Sequence, residues 1–228
     1  MTNTNEQVVH FMPKPVAQAI DFIPKISKTS KMPCHSYSLP AQECKTGKKL
    51  VSVKGSVCEG CYALKGFYHM PTVKAPRYEN LETLTHEKWT EIMIKHISKT
   101  SLKNGFFRWH DSGDIQSVDH FKNIVAIALA LPSINFWIPT KEAGMLKTYA
   151  SEGLSIPSNL SVRLSMPLVD QAPNLPDSLV KLGVNTSTVH KNSAGFGDEC
   201  KAYTNKGKCG DCRACWDVNV ENVSYPIH

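Results

Sequence analysis

Several common features are missing from this 228-residue chain, and each absence narrows the reading. No apolar run approaches the ~18 residues that a membrane-spanning helix needs. The longest, NIVAIALAL at 123–131, has the length of a buried helix. The opening stretch MTNTNEQVVHFMPKP shows no basic region followed by an apolar core, so no secretory signal and no membrane partner are expected. No block of like charge marks a nucleic-acid-binding arm. The phosphate-binding Walker loop, G-x-G-x-x-G, G-x-S-x-G and H-E-x-x-H are all absent, as are internal repeats and low-complexity segments. Charged residues make up only 20% and apolar residues 41%, which excludes a disordered chain and allows a real core. The net charge of +6 permits nucleic acid or a phosphorylated small molecule as partner and requires neither.

Cysteine is absent from the middle of the chain and concentrated at its two ends. Cys34, Cys44, Cys58 and Cys61 form one group; Cys200, Cys209, Cys212 and Cys215 form the other. About 140 residues without cysteine separate them. A cytoplasmic setting keeps thiols reduced, so four disulfides are not the expectation, and metal or catalytic use is.

The cysteine-free middle alternates helix and strand signals. Helical spacing of Trp89, Ile92, Met93 and Ile97 predicts a helix over 79–99, with Pro76 just ahead of it. Strands are predicted at 105–110, 134–140, 159–167 and 180–189. Helices are predicted over 117–132, with Ser117 as N-cap, and over 141–153, ending at Gly153; the Pro-rich 168–178 connection reads as weakly helical. Strand starts recur at the size of a βα unit. The expectation is an α/β fold with a parallel-stranded core, partial (β/α) barrel-like, because four strands cannot complete a barrel of eight. The chain reads as a single domain over 1–228. It comprises an irregular cysteine-containing segment (1–75), the α/β core (76–190) and an irregular cysteine-rich segment (191–228). Metal cross-links would offset the entropy of ordering the two irregular segments.

The run Cys209-x2-Cys212-x2-Cys215, preceded by Cys200, resembles the ferredoxin run in which each thiolate takes a different iron of a cubane. Zinc prefers paired C-x2-C knuckles, so a structural zinc site is the alternative. Gly207 and Gly210 supply a permissive backbone there. Cys58-x2-Cys61 is a knuckle on its own. With Cys34 and Cys44 it would complete zinc or a second cluster; the four could also split, some joining the C-terminal group around one shared site, or one or both of Cys34 and Cys44 could be buried apolar residues.

The stretch FFRWHDSGDIQS carries Arg108, His110, Asp111 and Asp114 at a strand's end, where parallel α/β folds place their ligands. Arg108 suits a carboxylate or phosphate, and Asp114 an amine or ribose; helix capping by Asp114 is the alternative. Thr140, Lys141 and Glu142 close the next strand, Arg163 and Ser165 the third, and Asn185, Ser187 and His190 the fourth. Together these suggest one shared pocket. Arg77 and Asn80, near the start of the long helix, are further cofactor-binding candidates.

The segments CEGCYALKGFY, FFRWHDSGD, FWIPTKE and CGDCRACW resemble the phage-borne gene product 88 family over about residues 20–220. That resemblance implies a phage or prophage source, hence the cytoplasm of an infected bacterium, more than an activity. The layout is also similar to radical S-adenosylmethionine enzymes, which pair a partial barrel with a three-cysteine cubane near the N-terminus and often carry a cysteine-rich C-terminal extension. The usual C-x3-C-x2-C run of those enzymes is absent here. The expected function is an iron–sulfur (4Fe-4S) protein holding one or two clusters, with S-adenosylmethionine as a further cofactor if it is a radical or redox enzyme. The alternatives are a non-catalytic electron-transfer or sensing protein, and a zinc-stapled module binding nucleic acid or a host protein.

Overall fold

A computed structural model describes residues 22–192 and 194–227. The first 21 residues of the expected irregular N-terminal segment lie outside them. The described chain runs β1 (Ile26–Lys28), β2 (His35–Tyr37), α1 (Lys45–Leu50), α2 (Pro71–Glu82), α3 (Trp89–Ser101), β3 (Phe106–Trp109) and α4 (Val118–Ala130). It continues with β4 (Asn135–Thr140), α5 (Ala143–Ser151), β5 (Leu160–Ser165), α6 (Asp177–Lys181), β6 (Asn185–His190), β7 (Asp198–Glu199) and β8 (Asn222–Pro226).

The strands form one open sheet in the order β1-β2-β3-β4-β5-β6-β8-β7. All pairings are parallel except β1 with β2. From β2 to β6 every step moves the same way along the sheet. Right-handed crossovers then place the connecting helices on one face. The core lies on that face. Phe107, Trp109, Phe136, Ile138, Val162 and Leu164 point from the strands onto Trp89, Met93 and Ile97 of α3, Phe121 and Ile124 of α4, and Leu146 and Tyr149 of α5. Residues of opposite parity, Arg108, Trp137 and Arg163, point to the other face.

The sheet is larger than the four strands expected. The terminal segments are not wholly irregular: β1 and β2 come from the first, β7 and β8 from the second. Three-residue strands such as HSY carry too little periodicity to read, and they form because neighbouring strands offer a ladder. The long helix expected over 79–99 is two helices. Thr83 bonds back to the Asn80 carbonyl (2.8 Å), and His86 is extended (φ −67°, ψ 130°). Pro76 lies inside α2, where it was expected to precede a helix. The strand expected over 180–189 starts only at Asn185; Val180 and Lys181 belong to α6, and Gly183 (φ +80°) turns the chain. Ser117 caps α4 as expected, its hydroxyl accepting the His120 N–H (3.0 Å).

Gly113 has no substitute. Its φ is +79°, and a Cβ there would stand 2.5 Å from the Leu39 Cβ and 2.7 Å from its carbonyl oxygen. That contact seats the end of β3 against the chain leaving β2, where Leu39 N–H meets the Ser112 carbonyl (3.0 Å).

Candidate metal centres at the sheet

The eight cysteines, all free thiols, divide three and five rather than four and four. Cys44, Cys58 and Cys61 lie together in the connection from β2 to β3. Burial pushes the Cys44 thiol up, and the charges of Asp114, Cys61, Cys58 and Glu142 push it further. Cys58 is likewise raised by burial, against the pull of Lys141. Gly47 keeps the space between two of them: a Cβ there would stand 3.1 Å from the Cys44 Cβ and 3.6 Å from the Cys58 sulfur. Cys61 N–H turns back onto the Cys58 carbonyl (3.2 Å) in a tight knuckle. The strand end of β5 holds this loop, through Val57 N–H to the Pro167 carbonyl and Val169 N–H to the Gly55 carbonyl (both 2.9 Å).

The polar ends of β3 and β4 face the three thiols. Asp114 is buried and accepts from Thr140 Oγ1 (2.6 Å), Lys141 N–H (2.8 Å) and Ile115 N–H (2.8 Å). Burial raises its pKa to about 6 despite those donors. The Lys141 ammonium donates to the Met166 carbonyl (3.2 Å). Burial lowers its pKa, while the charges of Cys58, Asp114, Cys61 and Cys44 act to keep the proton on. Glu142 takes both the backbone N–H and the hydroxyl of Thr46 (2.8 Å each), at the start of α1. That clamp fixes Cys44 two residues away.

The second group is Cys34 with Cys200, Cys209, Cys212 and Cys215. Cys34, only 2% exposed, shares a small apolar cluster with Trp137 and Trp216, against which Cys215 and Tyr225 pack. Burial drives its thiol up to about 12, with Cys209 and Cys215 adding to the rise and Arg108 and Arg213 opposing it. Cys209 N–H bonds to the Lys31 carbonyl (3.0 Å), which ties the late segment to the early one. Cys212 N–H returns to the Cys209 carbonyl (3.2 Å), repeating the knuckle of the first group. Cys200, Cys209, Cys212 and Cys215 line a cavity of about 250 Å³.

Gathered thiols with raised pKa values repel one another once charged, and a bound metal reverses that balance by deprotonating its ligands outright. Cysteine-only donor sets suit iron–sulfur clusters and zinc. Among the described residues, no group of three or more His, Cys, Asp or Glu side chains is arranged to hold a metal ion. The thiols are neighbours rather than the closed shell of one ion.

Arg108 stands between the two groups. Its guanidinium lies over the Trp137 ring (4.4 Å), with further contacts to the Met32 sulfur (3.1 Å) and the His110 carbonyl (3.5 Å). Its charge acts on Cys34, Cys209 and Cys215 on one side and on Tyr62 on the other. Asp111 is a hub: it accepts from Ser38 and lies 3.4 Å from the Tyr68 hydroxyl and 3.7 Å from Arg77, while its carbonyl accepts from Tyr62. Arg77 also donates to Ser112 Oγ (2.7 Å) and covers the Tyr68 ring (4.8 Å).

Other predicted site residues are engaged in holding the fold. Asn80 is buried and pins the backbone of Lys25 and Ser38. Arg163 is fully buried and spends all its donors on carbonyls: Cys215 (3.1 Å), Thr186 (3.3 Å), and Val220, Ala214 and Asp217 (2.8 Å each). Asn185 donates to the Val218 carbonyl (2.8 Å). Ser165 and Ser187 bond each other (3.0 Å), and His190 meets Ser224 Oγ (2.7 Å). His110, at φ +56°, is buried with both ring nitrogens unpaired beside His120 (ring centroids 5.5 Å). It faces the core rather than the thiols. Tyr62, Tyr68, Thr46 and Tyr225 were not among the predicted site residues. The adjacency of Tyr62 to Cys61 was the one available signal.

A family model described as gene product 88 matches residues 17–218, and the chain belongs to that family. No curated protein and no solved structure matches it. No helix among the described residues is long and apolar enough to cross a membrane.

Proposed function

We propose that this gene product 88 protein is an iron–sulfur protein with two centres of different ligation. Cys44, Cys58 and Cys61 are read as holding a 4Fe-4S cluster with one iron left open. Cys200, Cys209, Cys212 and Cys215 are read as holding a second, fully ligated cluster. The observation that carries this reading is the three-thiol group facing Asp114 and Lys141 at the strand ends, where open parallel sheets take their ligands. The one-directional strand order, the winding of a (β/α) barrel, supports a radical S-adenosylmethionine-like enzyme. When bound, the open-iron cluster would supply an electron to S-adenosylmethionine.

The surrounding side chains fit that assignment. Glu142 positions Cys44 through Thr46. The Lys141 ammonium offsets thiolate charge beside Cys58. The Asp111 hub, with Arg77, Arg108, Tyr62 and Tyr68, offers two cations and two hydroxyls to a substrate over the same end of the sheet.

The test is anaerobic purification with iron, sulfide and zinc analysis and a visible spectrum. Thiolate-ligated clusters give broad absorption near ~400 nm with stoichiometric sulfide. Incubation with S-adenosylmethionine and a strong reductant should then yield 5′-deoxyadenosine, and Cys58→Ala should abolish it. A colourless, zinc-replete protein would overturn the reading in favour of a zinc-stapled binding module. Clusters without 5′-deoxyadenosine would leave an electron-transfer or sensing protein.

A further inference from the structure

We infer that the Tyr225 hydroxyl is a tuning hydrogen bond to the sulfur of Cys215, holding the reduction potential of the C-terminal cluster above what four thiolates alone would give. This rests on the reading of Cys200, Cys209, Cys212 and Cys215 as a fully ligated cluster.

The geometry is direct. Tyr225 Oη lies 3.2 Å from Cys215 Sγ. As a free thiol either partner could donate. Once Cys215 is a metal-bound thiolate it carries no proton, and only the phenol can donate. β8 sets the phenol's position: Tyr225 pairs with Val189 of β6, and its ring packs on the cluster of Cys34, Trp137 and Trp216. Cys215 is fixed independently, because its own carbonyl accepts from Arg163 Nε (3.1 Å). Donor and acceptor therefore sit on separately anchored elements, so the bond is preorganised.

The direction of the effect follows from charge. Reduction adds an electron to the cluster and so raises the negative charge on its sulfurs. A donor aimed at a ligand sulfur stabilises the reduced form more than the oxidised one, and hydrogen bonds to sulfur are among the factors that set cluster potentials. Arg108 and Arg163 add positive charge near the same sulfur. No other cysteine of this group has a side-chain donor at hydrogen-bond distance among the described residues. The Cys215 end is thereby the favoured pole of the site.

The test is a spectroelectrochemical titration of the whole anaerobic protein, compared with Tyr225→Phe, which keeps the ring and removes one hydroxyl. The expected result is a lower midpoint potential for the C-terminal cluster at unchanged iron and sulfide content. Cys58→Ala in both backgrounds removes the signal of the other centre. Site-specific 3-fluorotyrosine at 225, a stronger donor, should move the midpoint upward. An unchanged midpoint in Tyr225→Phe with the cluster intact would overturn the tuning role alone. Loss of the cluster from Tyr225→Phe only would also overturn it, by showing that the hydroxyl holds the site together rather than tuning it. A wild-type protein without iron and sulfide would overturn the cluster reading itself.

Discussion

Replacing Arg163 by Leu should free the C-terminal cysteine segment from the sheet. Arg163 is 0% exposed at the centre of β5, and its three guanidinium nitrogens make five hydrogen bonds of 2.8–3.3 Å. Four of the acceptors, Ala214, Cys215, Asp217 and Val220, lie in the segment that carries the last cysteine. Each bond to a charged donor is worth about 1.5–3 kcal/mol, and stripping the donor leaves its carbonyl bare at a cost of about 1–3 kcal/mol if it stays buried. The bonds are not additive, and the segment can turn some carbonyls toward water. A net loss of roughly 5 kcal/mol is expected, comparable to the whole stability of a small domain at ~5–15 kcal/mol. Because the bonds join one segment to the sheet, that segment should open before the core does. Amide hydrogen exchange should show lost protection at 214–220 while Phe136 and Val162 keep theirs, and metal content should fall through Cys215. Arg163→Lys should be intermediate, since one ammonium offers three donors against five carbonyls. Full protection at 214–220 in Arg163→Leu, with an unchanged denaturation midpoint, would refute the reasoning.

Stability should also fall with acid through the buried histidines. Burial holds His120 neutral, its pKa lowered from 6.5 to about 3, and burial, with the charges of His120 and Arg108, holds His110 well below its usual range. The unfolded chain takes up protons below pH ~6.5 that the folded chain refuses, so stability is complete above that pH and drops by about 1.4 kcal/mol per unit per histidine below it. Asp114 opposes this: its folded pKa is raised to about 6, so it gains stability as pH falls from there toward 3.8. The comparison to make is therefore the difference in urea midpoint between wild type and His120→Phe from pH 7 to 4.5; parallel curves would be the failing result. Gly113→Ala should cost about 3 kcal/mol or more, combining a left-handed backbone with a clash against Leu39, and thermal denaturation measures it. Ser117→Ala should cost about 1 kcal/mol by removing the cap of α4, without altering metal content.

The sequence showed the middle of the sheet because β3, β4 and β5 carry apolar residues in a period that only a buried strand needs. It hid β1, β2 and β7, which are two or three residues long, and β8, all of which owe their form to the strands beside them. The break between α2 and α3 was hidden too, since Trp89, Ile92, Met93 and Ile97 keep helical phase and nothing in TLTHEK is a strong breaker. The site was legible as residue types and not as groupings. Cys34 lies ten residues from Cys44 yet joins Cys209 and Cys215, because β2 carries it to the opposite end of the strand from the loop that holds Cys44. Arg163 looked like an anion ligand; a lone arginine in a strand gives no hint that five backbone carbonyls await it.

The placement of β8 between β6 and β7 has a consequence for how the protein is made. Among the described residues β7 pairs with β8 alone, and the Cys200 N–H bonds to the Ser224 carbonyl (2.8 Å). Cys200 therefore has no place to dock until Ser224 has left the ribosome, although the residues that position Cys44, Cys58 and Cys61 are complete once Val169 has emerged. On the two-cluster reading proposed above, the two cysteine groups would become ready for metal one after the other, in the order of translation. A truncation before β8 should strand the second while leaving the first able to form.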